Sequence, residues 1–247
     1  MHESTIRPLE PAAHTSAALD QTWNQLGRAG GWWTAEERIA IASESRAARE
    51  CRFCAERREA LSPYAVEGAH DSKGSILSAP MIDVIHRITT DPGRLAERWY
   101  RELTDAGMSA EELVEITSII GVVTIGDTLA RALGQPDRAL PSLSPDPGEP
   151  HRQTVAGAIT ARAWVPMVEP DQAEGMQKLM YEQVESAAGF VFNVARSLTA
   201  VPEAVRDFFG TFLPNYSTHG AVRPGGLNRT QVELLASSTS AWNDCFY

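Results

Sequence analysis

The chain has 247 residues, 43% hydrophobic and 22% charged, the balance of a globular protein with room for one large domain or two of ordinary size. A net charge of -10 repels phosphate backbones and anionic lipid, which argues against nucleic acid and membrane surfaces as partners. Three cysteines, Cys51, Cys54 and Cys245, are too few and too odd in number for a secreted disulfide scaffold.

Residues 1–19 read as a flexible polar tail; nothing in Met1 to Ser16 has the basic-then-apolar order of a signal peptide, so the expected compartment is the cytoplasm. Thr34-Ala35-Glu36-Glu37 is a capping box, in which hydroxyl and carboxylate each satisfy the other's backbone amide. It opens a stretch rich in Ala, Glu and Arg that predicts helix to about Ala60, with Trp32 and Trp33 stapling its start. Met81 to Ile88 and Pro92 to Ala106 predict two further helices, the second capped by Gly107. Ser109-Ala110-Glu111-Glu112 starts a long apolar helix that ends near Gly134. Its apolar run, Ile116 to Leu133, is broken by Gly121, Gly126, Asp127 and Arg131 and reads as core rather than as a bilayer span.

Five prolines between Pro136 and Pro150 mark a linker, assigned to 136–164. Helices follow over Asp171 to Ala188, ended by Gly189, and over Phe190 to Leu198. Another starts at Pro202 and carries Val205, Phe208, Phe209 and Phe212 on its inner face. With Phe190 and Phe192, these aromatics fit a core better than a cofactor box. The last segment, from Asn228, opens with a second capping box, Asn228-Arg229-Thr230-Gln231. Thr34 and Asn228 each stand seventeen residues before a cysteine, Cys51 and Cys245, so the chain reads as a duplication. The expected fold is all-α, with one complete helical unit over 20–135 and the first part of a second over 165–247.

Cys51-Arg52-Phe53-Cys54 carries the chemistry. Cysteines at i and i+3 of helix-forming sequence share a face and can cycle between dithiol and disulfide, and Arg52, Arg57 and Arg58 offer a field that favours thiolate. Half of a zinc site and two inert core cysteines are the competing readings. The zinc reading lacks a second C-x-x-C or a closely spaced histidine pair. His70 and His86 read as surface or hydrogen-bonded side chains, His219 as a solvated loop residue, and Glu44 as either a base for Cys51 or a solvated carboxylate.

At the C-terminal end, Leu227-Asn228-Arg229, Glu233-Leu234-Leu235-Ala236 and Asp244-Cys245-Phe246-Tyr247 resemble the alkylhydroperoxidase AhpD and carboxymuconolactone decarboxylase superfamily. The family's Glu precedes the first cysteine of its C-x-x-C by twelve residues, as Glu233 precedes Cys245. The segments Ala106 to Ser109 and Ile125 to Gly134 resemble the family's second half. The resemblance implies an AhpD-like all-α bundle that acts as a thiol-dependent peroxidase, oxidising a C-x-x-C pair with a hydroperoxide and recovering it with a dithiol or thioredoxin-like reductant. It implies Cys51, Cys54, Glu233 and Cys245 as catalytic residues, no metal and no organic cofactor, and association of like chains into a homo-oligomer. A carboxymuconolactone decarboxylase-like lyase and a non-catalytic helical binding protein remain alternatives. The first unit departs from the pattern, with Ile39 at the family's Glu position and Arg58 at its His position. The second pattern runs on past Tyr247; a continuing frame, for instance through a selenocysteine codon, would complete it, and a cropped sequence or a degenerate protein are the other expectations.

Overall fold

The computed structural model describes residues 9–72, 74–160, 163–212 and 226–243, except the side chains at 187 and 188. Cys245 and His219 therefore lie outside the described residues. Ten α-helices and one two-stranded sheet make the described fold all-α, as the capping boxes and helix-forming runs predict.

The polar N-terminal segment is helical from Ala13: α1 (Ala13–Gln25) is anchored by buried Leu19 and Trp23. The capping box on Thr34 forms as expected and starts α2 (Ala35–Ala48). Propensity alone would carry this helix to Ala60, but the backbone turns extended at Cys51, which becomes the N-cap of α3 (Arg52–Glu59). The turn lays α3 against α4 (Ala79–Thr90), which also packs on α2. Pro92–Arg94 is a single 3₁₀ turn before α5 (Glu97–Asp105).

The Ser109 capping box starts α6 (Ala110–Ala132), the central element, packed against α1, α2, α4 and α9. It is long and apolar enough to cross a membrane, but 67% of its most apolar window is buried and its buried face carries Glu115 and Asp127. Asp127 accepts from Arg46 at 2.7 Å and Arg49 at 2.6 Å, tying α6 to α2.

The proline-rich stretch is strapped to the N-terminal half. Ser144 N–H donates to Gly27 O at 2.8 Å, Ala29 N–H to Pro147 O at 2.7 Å, and the Trp23 indole to Ala139 O at 2.9 Å. Strands β1 (Ala158–Ile159) and β2 (Met167–Val168) pair antiparallel. Next come α7 (Gly175–Ala188), capped by the left-handed Gly189, then α8 (Asn193–Arg196) and α9 (Pro202–Phe212). Helix α9 packs its buried Ala204, Val205 and Phe209 with residues of α7 and α8 and also reaches the N-terminal half. It lies on α6 and α1, Ser118 donates to Ala204 O at 3.1 Å, and buried Arg38 of α2 bridges Glu115 of α6 and Asp207 of α9. Gly30 is required there, because a Cβ would fall on the Glu115 carboxylate. Helix α10 (Arg229–Trp242) starts at the expected Asn228 box and buries none of its residues.

Candidate thiol and imidazole centre

Cys51 is the N-cap of α3 and Cys54 sits in its first turn, so both sulfurs project at the start of the helix, where backbone amides point outward. Around them lies only a small apolar cluster of Cys51, Phe53 and Cys54 with Val66 against it. The loop 60–78 leaves α3, passes Gly68 so close that a Cβ would meet the Phe53 ring at 2.6 Å, and delivers His70 edge-on to that ring. From α4, Asp83, His86 and Arg87 face the same point, as residues three and four apart on one helix do. From α2, Glu44 closes the group.

The geometry is tight. His70 Nδ1 lies 3.6 Å from Cys51 Sγ and 3.5 Å from Cys54 Sγ, and His86 Nδ1 lies 3.2 Å from Cys54 Sγ. The two imidazole centroids are 4.2 Å apart. Each ring's far nitrogen meets a carboxylate, His70 Nε2 with Asp83 Oδ1 at 2.9 Å and His86 Nε2 with Glu44 Oε1 at 2.8 Å. A carboxylate can only accept, so each Nε2 carries the proton and each Nδ1 is turned toward sulfur. Ser72 donates to the other oxygen of Glu44 at 2.9 Å, while Arg57 and Arg87 hold Asp83 at 2.5 and 3.1 Å. Cys51 and Cys54 are 4% and 3% exposed, and His86 and Glu44 are also buried. A cavity of about 10 Å³ beside Cys54, lined by Arg57, Arg87 and Leu95 among others, has room for about one water.

Electrostatics follow from this arrangement. Burial pushes the Cys54 thiol up, but hydrogen bonds to His70 and His86 and the charge of His86 outweigh it and bring the pKa down to about 6. Burial also opposes ionisation of Cys51, yet the backbone amides of Asp71 and Cys54, together with His70, lower it. His70 is depressed by burial but raised more strongly by Asp83 and the two sulfurs, to about 10. His86 is likewise raised by Cys54 and Glu44 against the effect of burial. Asp83 is held well below the usual carboxylate range; burial works against this, and His70, Arg57 and Arg87 overcome it. The metal-free centre at neutral pH is a thiolate beside an imidazolium.

Of the residues expected from sequence, Cys51 and Cys54 are brought together. Glu233 is not part of this cluster: it stands on α10, 41% exposed, paired with Arg229 at 2.7 Å. Of the arginines expected to supply the positive field, Arg57 joins the centre through Asp83, whereas Arg52 is exposed and pairs with Glu56. The sequence reading took His70 and His86 only as surface or hydrogen-bonded side chains, did not raise Asp83, and left Glu44 open. One signal was present, the equal spacing Cys54-x15-His70-x15-His86, but it lies outside the short His-x3–5-His spacing that marks a zinc finger. No protein-family model, curated protein or solved structure matches the chain.

Proposed function

We propose that the protein is a thiol–disulfide redox protein of the peroxidase kind, in which Cys54 attacks and Cys51 resolves. One observation carries the reading: Cys54 Sγ lies 3.2 Å from His86 Nδ1, whose Nε2 is held at 2.8 Å by buried Glu44. This is a base, oriented by a carboxylate, against a nucleophile. The AhpD resemblance implies the same roles for its Glu, His and Cys, and here they fall to residues at other positions, Glu44, His86 and Cys54.

In the proposed cycle the Cys54 thiolate attacks one oxygen of a hydroperoxide and the O–O bond breaks. An imidazolium proton goes to the departing alkoxide, leaving Cys54 as a sulfenic acid and an alcohol or water as product. Cys51 sulfur then displaces that hydroxyl as water, forming the disulfide. An external dithiol restores both thiols by exchange. The pair loses two electrons and the peroxide gains two. The one-water cavity beside Cys54 favours hydrogen peroxide or a small alkyl hydroperoxide over a bulky lipid one.

The test is peroxide consumption with dithiothreitol, together with thiol counting and peptide mapping of metal-free protein after one equivalent of hydrogen peroxide. A Cys51–Cys54 disulfide that is absent in Cys54→Ser supports the reading. Two thiols that survive stoichiometric peroxide on the timescale of the assay overturn it.

A further inference from the structure

We propose that reduced Cys51, Cys54, His70 and His86 form a tetrahedral site for a zinc-class divalent cation. The inference stands on ligand geometry and does not require the peroxide chemistry. The four ligand atoms lie within 4.8 Å of one another. A tetrahedron with zinc–sulfur bonds of about 2.3 Å and zinc–nitrogen bonds of about 2.05 Å has sulfur–nitrogen edges of about 3.5 Å. Three of the four such edges here measure 3.6, 3.5 and 3.2 Å. The remaining pairs lie within 4.8 Å, so a cation would draw the four atoms together by up to about 1 Å at the widest pair.

Three further features point the same way. Both imidazoles aim Nδ1 at the centre because Asp83 and Glu44 hold their Nε2 protons, so that a cation replacing the Nδ1 proton meets the lone pair; this is the outer support that histidine ligands of zinc characteristically have. The donor set is two thiolates and two imidazoles, which suits zinc and rejects magnesium or calcium. All four ligands are buried or nearly so, and no protein-side position is left open, which describes a closed structural site rather than a zinc that activates water. The ligands come from the start of α3, the loop 60–78 and α4, so the cation would clip a long loop to two helices at a corner with a thin apolar core. Binding occupies both sulfurs, so the cation and the disulfide exclude each other.

The full chain, purified under reducing conditions without chelator, should carry about one zinc per chain by elemental analysis. Cobalt added to the reduced, metal-free protein should give visible bands of tetrahedral cobalt and near-ultraviolet thiolate-to-cobalt charge transfer. Cys51→Ser, Cys54→Ser, His70→Asn and His86→Asn should each lose or displace these bands, and His14→Asn should not. Glu44→Gln should weaken zinc binding by about 10–100-fold while keeping the spectrum. If the ligand variants fail to fold, X-ray absorption on the zinc-loaded native chain decides the matter: a shell of two sulfurs and two nitrogens supports the site, and an all-oxygen or all-nitrogen shell overturns it. Octahedral cobalt without charge transfer overturns it too. Peroxide oxidation of the metal-free protein reads the thiol chemistry separately, so either proposal can fail while the other stands.

Discussion

The thiolate–imidazolium centre makes a quantitative prediction when both imidazoles are removed by His70→Asn with His86→Asn. In the native protein the Cys54 pKa is about 6, because the two imidazoles outweigh burial. Without them burial is opposed only by the hydrogen bond from Cys51, and the thiol returns to about its ordinary value of 9.0. At pH 7 the thiolate fraction falls from about 90% to about 1%. A more basic thiolate is intrinsically more reactive, by about 15–30-fold over three pKa units. The two effects oppose each other, so alkylation of Cys54 at pH 7 slows by only about 3–6-fold. At pH 5 it slows by about 30–60-fold, and at pH 9 the variant is faster by about 8–16-fold. The rate curves cross between about pH 7 and 8. The assay is iodoacetamide labelling of metal-free protein from pH 5 to 10, with the Cys54 peptide quantified by mass spectrometry so that Cys51 and Cys245 need not be altered. A variant slower by one constant factor at every pH would refute the electrostatic account and leave only an accessibility change.

Other outcomes follow from the same contacts. Asp83→Asn removes the carboxylate that raises His70, so less imidazolium faces the sulfurs, the Cys54 midpoint moves above 6, and labelling slows at pH 5, where the thiolate lost outweighs the greater reactivity of a more basic thiolate. Arg38→Met leaves buried Glu115 without a cation and Asp207 with Arg206 alone, at a cost of about 3–5 kcal/mol, or a fall in Tm of about 6–20 °C by calorimetry. Burial already raises Glu115, and without Arg38 it rises further; the folded state then binds more protons than the unfolded one, so that variant regains stability as pH falls. Gly30→Ala drives a methyl into the Glu115 carboxylate and should cost about 1–3 kcal/mol, read as a lower Tm with unchanged Cys54 labelling.

Much of the fold was legible because it is written locally. The helix starts at Thr34, Ser109 and Asn228 were each set by a side chain three residues from its partner, and all three caps form. What escaped was decided at a distance. Helix α1 has a weak apolar stripe and is held by Leu19 and Trp23 buried against later elements, so its sequence reads as a tail. The break at Cys51 defies good helix propensity because the turn places α3 on α4. The division into two units follows the repeated capping boxes; the polar links that Arg38 and Ser118 make from α2 and α6 to α9 have no such local signal. At the site, only the cysteine pair is close in sequence. His70 and His86 stand sixteen and thirty-two residues from Cys54, and no local pattern reports that a loop and a helix fold back onto it. Glu44 could not be told from a solvated helix carboxylate until its burial and its partners, His86 and Ser72, were known.

The loop 60–78 is where these interactions should be felt mechanically. Its apolar anchoring is slight, with Pro63, Leu77 and a partly buried Val66 inside, and its polar anchors run through Tyr64 to Arg94 O at 3.4 Å, His70 to Asp83 at 2.9 Å and Ser72 to Glu44 at 2.9 Å. The His70–Asp83 contact is charge-assisted and mostly buried, and such bonds contribute about 1.5–3 kcal/mol. Losing it in His70→Asn should raise the local opening equilibrium, and with it amide exchange in 60–78, by about 10–150-fold. Exchange in α6, protected by the central core, should stay within about twofold, because the loop opens without unfolding the bundle. Zinc added to the native chain should move the same amides in the protective direction, since three of its four ligands belong to α3 and α4 and the fourth is the loop's own histidine. Equal acceleration of loop and α6 exchange in His70→Asn would mean that the loop has no local opening of its own and that the thiol and imidazole centre is part of the global core.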